Sequence, residues 1–201
     1  AGGQFAIETA TLDAPKTGEV LVKVVAAGVC HTDIGVQHIM PMPVVLGHEG
    51  SGIVEEVGPG VTKVAPGDPV VMTFGSCGRC PSCVEGAPSH CHDMRTLQFS
   101  GARFDGSPTM SQQGEKVNAA FFQQSSFATY ALATERNVVK ITQGDVPLEL
   151  LGPLGCGIQT GAGAVMNTIK ARAGGSIAVM GAGSVGLSGV MAAHLIGCTT
   201  I

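Results

Sequence analysis

Glu19-Val20-Leu21-Val22-Lys23-Val24-Val25-Ala26-Ala27-Gly28-Val29 is the stretch from which the fold is read. Val20, Val22 and Val24 recur every second residue, and side chains of a strand alternate between two faces, so this is a half-buried strand. Downstream, Ile53 to Val57 has the same character and stops at Gly58-Pro59-Gly60, a forced turn. Pro66-Gly67-Asp68 makes another turn before a strand from Val70 to Thr73. Ser126 to Ala133 and Val138 to Ile141 are further strands. Short strands parted by Gly/Pro turns across the first 145 residues predict a barrel-like β domain. Residues 92–118 are polar and without period, which predicts a long surface loop.

The character changes near Pro147. From there to Ile169 the chain is rich in alanine and leucine and predicts one or two helices. Ser176 to Met180 is a short apolar run, Gly181-Ala182-Gly183-Ser184-Val185-Gly186 follows it, and Ser184 to Ile196 has the composition of a helix. Cys198 to Ile201 would open a second strand. A domain boundary is therefore expected between residues 145 and 172. The glycine run fits G-x-G-x-x-G between a strand and a helix, the context of a dinucleotide fingerprint. Its glycines permit a tight turn and let a pyrophosphate approach the helix N-terminus. The acidic residue that grips the ribose lies about 20 residues further on, at or past Ile201, so NAD and NADP are not separated.

Bulk properties narrow the function classes. Hydrophobic residues make up 44% and charged residues 13%, enough apolar material for a core and too little charge for disorder. A formal charge of −4 with no basic run argues against a nucleic-acid or anionic-membrane surface. No apolar run reaches the roughly 18 residues of a membrane span, and the N-terminus has no leader pattern. Seven cysteines, an odd number without a leader, argue against a disulfide framework and for a reducing compartment, the cytoplasm.

Four of those cysteines, Cys77, Cys80, Cys83 and Cys91, lie within one short loop. Four thiolates suit a closed, tetrahedral structural zinc site. An iron–sulfur cluster or a set of buried free cysteines are the competing readings of that spacing. His90 and His92 flank Cys91 and are read as surface residues. A second group is dispersed: Cys30-His31-Thr32-Asp33, Gly47-His48-Glu49 and Gly155-Cys156-Gly157. Two thiolates and one imidazole would give zinc three ligands and leave a fourth position open, the catalytic arrangement.

These elements in this order resemble the zinc-dependent medium-chain dehydrogenase/reductase family, for whose alcohol dehydrogenases a zinc set of two cysteines and one histidine is well known. Gly47-His48-Glu49, followed by Gly50, Gly52 and Val54, is similar to its zinc signature. Gln124-Ser125-Ser126-Phe127-Ala128-Thr129-Tyr130 and the run from Leu151 to Gly161 look most like aryl-alcohol (benzyl alcohol) dehydrogenases. The resemblance implies an α/β protein. Residues 1–150 would form a GroES-like β-barrel catalytic domain, and 151–201 a linking helix and the first β-α part of a Rossmann domain. The chain would then be C-terminally truncated.

The resemblance also implies roles. Cys30, His48 and Cys156 would hold a catalytic zinc, with Glu49 close behind it. Cys77, Cys80, Cys83 and Cys91 would hold a structural zinc, making two Zn2+ per chain. Thr32 would take the alcohol proton and Asp33 would orient His48. His31, Gly181, Gly183 and Gly186 would lie near the cofactor pyrophosphate, and Thr160 and Val185 against the nicotinamide. NAD is favoured over NADP. Some members carry a histidine three residues after the relay hydroxyl; here that position is Gly35, and His38 nearby has no assigned part. The implied reaction is oxidation of a primary, aromatic alcohol to its aldehyde, with Phe74 a candidate wall of the substrate site. A glutathione-dependent formaldehyde dehydrogenase-like enzyme and an inactive zinc-binding fragment are the alternatives. The small hydrophobic alcohol or aldehyde would be the partner, in a homodimer or homotetramer.

Overall fold

Val20 and Val22 are fully buried in the computed structural model, which describes residues 5–36 and 38–201. In chain order, β1 (Thr11–Leu12) and β2 (Glu19–Ala27) precede a short helix, α1 (His31–Val36). There follow β3 (Gly50–Val57), β4 (Pro69–Met72), α2 (Pro81–Val84) and α3 (Met94–Phe99). β5 (Met110–Gln112), β6 (Glu115–Val117), β7 (Tyr130–Thr134) and β8 (Val138–Lys140) complete the strands, and α4 (Gly157–Gly163) and α5 (Ser184–Ile196) the helices. Two compact units result, one ending at Gly152 and the other spanning Pro153–Ile201.

The first unit is built on an antiparallel sheet of order β7-β2-β3-β4-β8. Its two edge strands are consecutive in sequence, joined by only Glu135, Arg136 and Asn137. That connection reaches at most about 14 Å, whereas a flat five-stranded sheet is about 19 Å across. The sheet must therefore curl. Register shifts in β2 at Leu21/Val22 and Val24/Ala26 supply the bend. The concave side encloses Val20, Val22, Val54, Val70, Met72 and Val138. Burying an aliphatic side chain of this size contributes roughly 1.5–3 kcal/mol. The expected barrel is thus a strongly curved open sheet, since β7 and β8 do not pair with each other.

Residues 92–118 are not the structureless loop expected from their polarity. They form α3 and the β5–β6 hairpin, which joins β1 in a second, three-stranded sheet. Elements of three to six residues are too short to display a period. Their polar residues are also used internally. Arg103 is 6% exposed and bonds Glu19 through Nε at 2.7 Å and Asp13 through Nη1 at 2.8 Å. It also donates to the Pro108 carbonyl. One guanidinium therefore ties the loop after α3 to the first residue of β2.

In the second unit α4 continues as a π-helix over Ala164–Ile169, and α5 ends at Gly197 in the left-handed region. Val165, Ala192 and Ala193 form its core. The expected strand over Ser176 to Met180 is realised as one parallel bridge, Ser176 to Thr200. Among the described residues no helix is long and apolar enough to cross a membrane.

Arg103→Ala leaves two carboxylates without their cation, and loss of one member of a buried pair typically costs 3–5 kcal/mol. Because Asp13 is partly exposed, the expected loss is about 3 kcal/mol. It should be read as a lower denaturant midpoint at unchanged slope. A loss under about 1 kcal/mol would show that the pairs do not brace the sheet.

Candidate metal centres

The pairing of β2 with β3 brings the first group together. Ala27 lies opposite Gly50, and the Gly28 N–H donates to the Glu49 carbonyl at 2.9 Å. The residues that follow β2 and those that precede β3 therefore meet at one end of the sheet, carrying Cys30 and His48-Glu49 there. The Asp33 carboxylate, fully buried, joins the two segments. Its Oδ2 accepts from the Cys30 N–H at 3.0 Å, and its Oδ1 from the Gly47 N–H and His48 Nδ1, both at 3.0 Å.

A carboxylate only accepts, so Nδ1 of His48 carries the hydrogen, and the neutral ring keeps its lone pair on Nε2. His48 is 1% exposed, and Nε2 is buried with no hydrogen-bond partner. An unsatisfied buried polar atom costs about 1–3 kcal/mol, which a metal bond would remove. The ligand atoms of Cys30, His48 and Glu49 lie within 4.8 Å of one another. Sulfur, imidazole and carboxylate are the donors zinc takes, so this set fits the ion. Burial pushes the Cys30 thiol up, but the Thr32 N–H, the Thr32 hydroxyl and His48 outweigh it and hold it below the ordinary thiol value. Burial pushes His48 down, but the Asp33 hydrogen bond and charge and then Cys30 raise it overall. Cys30 and His48 each contribute to the other's shift.

The second group is the loop from Cys77 to Cys91. Its four sulfurs lie within 4.8 Å of one another, with Cys77 and Cys83 at 4.0 Å. A Zn–S bond of about 2.3 Å sets tetrahedral sulfurs about 3.8 Å apart, so one ion fits, whereas a disulfide would need about 2.05 Å. Backbone N–H groups already point at the sulfurs: Cys77 to Cys91 at 3.3 Å, Cys80 to Cys77 at 3.4 Å and His92 to Cys80 at 3.5 Å. Without a cation the four cannot all ionise. The His92 N–H brings Cys80 down to about 6. Cys77 is pushed up to about 11: the N–H groups of Arg79 and Cys80 favour its thiolate, but burial, Asp93 and Cys91 prevail. His90 and His92 are exposed.

The remaining predicted residues are placed as follows. His31 is exposed and Thr32 half-buried in α1, with Thr32 Oγ1 at 3.6 Å from Cys30 Sγ. In the second unit Cys156 precedes α4, and Thr160 Oγ1 bonds the Cys156 carbonyl at 2.7 Å. Gly181 has φ +107, and a Cβ on Gly186 would fall 1.9 Å from the Gly181 carbonyl oxygen. The turn therefore needs glycine at both ends. Gly183 precedes α5, and Val185 in its first turn is about half exposed. Around this turn lies a shallow apolar cavity of about 500 Å3, lined by Ile177, Val179, Gly181, Val185 and Gly186 among others.

Three residues with no role assigned from the sequence touch His48. The Phe122 ring stacks on it at 4.5 Å and 26°, and Phe121 meets it edge-on at 5.5 Å. The Gln124 side chain bonds the His48 carbonyl at 3.0 Å. Phe74, named as a candidate wall, is only half-buried. Phe122, Gln123 and Ser125 all hold the left-handed conformation, φ 51, 56 and 49, at about 1–2 kcal/mol each. The Phe-Phe-Gln-Gln-Ser-Ser run carries no period and no ligand chemistry, and the family resemblance of the stretch that starts at Gln124 assigns these residues no role.

Residues 16–143 match the alcohol dehydrogenase GroES-like domain family. The chain is 49% identical to a geraniol dehydrogenase of Castellaniella defragrans, covering 100% of this chain and 54% of that one. Among solved structures, an alcohol dehydrogenase zinc-binding domain protein from Burkholderia ambifaria has TM-score 0.96 and 54% identity, covering 100% of this chain and 55% of that one. Benzyl alcohol dehydrogenase from Acinetobacter calcoaceticus has TM-score 0.92 and 49% identity, covering 98% and 54%. The four-cysteine loop and the Cys/His/Glu set are two candidate zinc sites, and the first unit carries the GroES-like domain of this family. The chain belongs to the zinc-dependent medium-chain dehydrogenase/reductase family of alcohol dehydrogenases, and it spans about half the length of the relatives it matches.

Two substitutions separate the centres. Cys80→Ser should leave one metal per chain in place of two by elemental analysis, with faster proteolysis between residues 77 and 91. Retention of both metals would exclude Cys80 as a ligand. Asp33→Asn should keep the metal of the four-cysteine loop and weaken the other about 10- to 100-fold in chelator competition, the usual effect of losing a group that orients a metal-bound histidine.

Proposed function

We propose that this chain is the zinc-bearing catalytic part of an alcohol dehydrogenase that oxidises a primary aromatic or allylic alcohol to its aldehyde with a nicotinamide cofactor. The observation that carries this reading is the buried His48, its Nδ1 held by Asp33 and its Nε2 unpaired within ligand distance of Cys30 and Glu49. Cys30, His48 and Cys156 are the proposed ligands of the catalytic zinc, with Glu49 behind them. Cys77, Cys80, Cys83 and Cys91 are those of the structural zinc. When bound, the catalytic zinc supplies Lewis acidity toward an alcohol oxygen.

The chain's own residues do the rest. Asp33 keeps the His48 ring in one tautomer and one orientation. Thr32 Oγ1, beside Cys30, takes the alcohol proton and passes it toward solvent; Gly35 offers no side chain for a further step. Phe121 and Phe122 line His48 with apolar surface and limit water there. When bound, the nicotinamide would supply the hydride acceptor, so that alcohol and oxidised cofactor would be converted to aldehyde, reduced cofactor and one proton. The geometry at Gly181 and Gly186, with the helix crossover between Ser176 and Thr200, supports reading residues 151–201 as the beginning of a Rossmann domain. Gly181, Gly183, Gly186 and His31 are assigned to the pyrophosphate, and Thr160 and Val185 to the nicotinamide. NAD is preferred to NADP in this reading, the assembly is a homodimer or homotetramer, and seven free cysteines fit the cytoplasm.

The names of the geraniol and benzyl alcohol relatives support the substrate class, since both alcohols carry an unsaturated carbon next to the carbinol. In the full chain loaded with zinc, turnover with NAD should be found on benzyl alcohol and geraniol, followed by the near-ultraviolet absorbance of the reduced cofactor. Preference for the glutathione adduct of formaldehyde would replace the substrate assignment, and no turnover on any of the three would overturn the activity. Cys156→Ala should lower turnover at least about 100-fold, more than loss of an outer partner; unchanged turnover would remove Cys156 from the zinc site.

A further inference from the structure

The His48 ring is held by Asp33 and Phe122, but the backbone that carries it needs its own support. His48, Glu49 and Gly50 lie where a loop becomes β3, and the His48 carbonyl faces inward. Gln124, fully buried, reaches this point from a different segment. Its Nε2 donates to the His48 carbonyl at 3.0 Å and to the Thr73 carbonyl at 3.1 Å, while its Oε1 accepts from the Gly50 N–H at 3.1 Å. The amide can sit in one orientation only, because reversal would set two carbonyls against an oxygen and an N–H against an amino group. Both sides of the His48–Gly50 segment are thereby tied to one side chain.

The neighbourhood is built for that contact. A Cβ on Gly50 would come within 2.4 Å of Met72 and 2.6 Å of Ser126, and 3.1 Å of Gln124 Oε1, so the backbone lies directly against the amide. Gln124 is delivered by the run in which Phe122, Gln123 and Ser125 are left-handed. Side-chain bonds hold that conformation. Ser125 Oγ donates to the Val45 carbonyl at 2.6 Å and accepts from the Phe121 N–H at 2.8 Å. Gln123 Nε2 donates to the carbonyls of Leu97 and Ala102 at 2.9 and 3.1 Å. Backbone strain held by surrounding bonds and set beside a functional side chain is a recurring mark of a positioning element.

We infer that Gln124 is a positioning residue for the metal-binding histidine: its amide sets where His48 Nε2 lies, and so the geometry of the catalytic metal. The inference rests on the reading of His48 as a zinc ligand. Partners that orient metal ligands commonly change affinity 10- to 100-fold when removed. Gln124→Leu keeps the volume and removes all three bonds. Gln124→Glu keeps the acceptor for Gly50 and loses both donors.

The test is cobalt loading of the full chain, read by metal stoichiometry, chelator competition and the visible cobalt bands. Gln124→Leu should weaken the Cys30/His48 metal about 10- to 100-fold and shift its bands, Gln124→Glu should fall between, and the metal of the four-cysteine loop should be unaffected. Arg103→Ala, which destabilises the same unit without touching His48, should keep wild-type affinity and bands. Wild-type metal behaviour in both Gln124 variants would overturn the inference, as would equal loss in Arg103→Ala. If Gln124→Leu does not fold, Gln124→Glu decides alone. Failure of the underlying reading looks different: the wild-type chain would then bind metal only at the Cys77–Cys91 loop.

Discussion

The Asp33 carboxylate is the interaction on which the rest of the first unit depends. It is fully buried and accepts from the Cys30 N–H, the Gly47 N–H and His48 Nδ1. An isolated buried carboxylate would be costly, and three donors offset the lost hydration. The same bonds fix Cys30 to one side of the site and His48 to the other. Hydrogen bonds that orient a metal-binding histidine raise the affinity of its site, because the ligand need not be ordered when the ion binds. Asp33 meets that need with one side chain only three residues from Cys30.

The sheet makes the meeting possible. Antiparallel pairing of β2 with β3 returns the chain to the point where it left, so Cys30 and His48 come together although 18 positions separate them. Curling, required by the short β7–β8 connection, brings Gln124 and the two phenylalanines against the same end. The Cys77–Cys91 loop works differently. Among its cysteines only Cys91 is buried, so it has little core of its own. Four thiolates around one dication would supply the cohesion that apolar packing supplies elsewhere.

The second unit follows another logic. The α4–α5 contact is close enough that a Cβ on Gly161 would fall 1.9 Å from the Val185 carbonyl oxygen, and Ser188 Oγ donates across it to the Gly157 carbonyl at 3.3 Å. On its other side α5 exposes Leu187, Met191 and Leu195. The glycine turn is formed even though only one bridge of parallel sheet lies beside it. Local backbone needs, a left-handed Gly181 and a Gly186 without Cβ, are enough to shape it.

Much of this is legible in residue order. Valines at 20, 22 and 24 mark the strand, Ser184 to Ile196 the helix, and two sets of zinc-type ligands stand at spacings that one ion can gather. These are local properties: a strand's period, a helix's composition and the reach of a short loop are all settled within a few residues. Residues 92–118 read as a loop because Arg103, Leu97 and Gln98 are buried by distant partners, and polarity alone cannot show that a charge is paired. Gln124 stands in a stretch that carries the family resemblance, but nothing in the sequence sets it or Phe122 beside His48, for the same reason. Their chemistry is ordinary, and only the fold sets an amide 76 positions away against the His48 backbone. Ligand identity is written in the sequence because zinc selects atoms by type; ligand orientation is decided in three dimensions, because hydrogen bonds and ring contacts depend on which segments the folded sheet brings within reach.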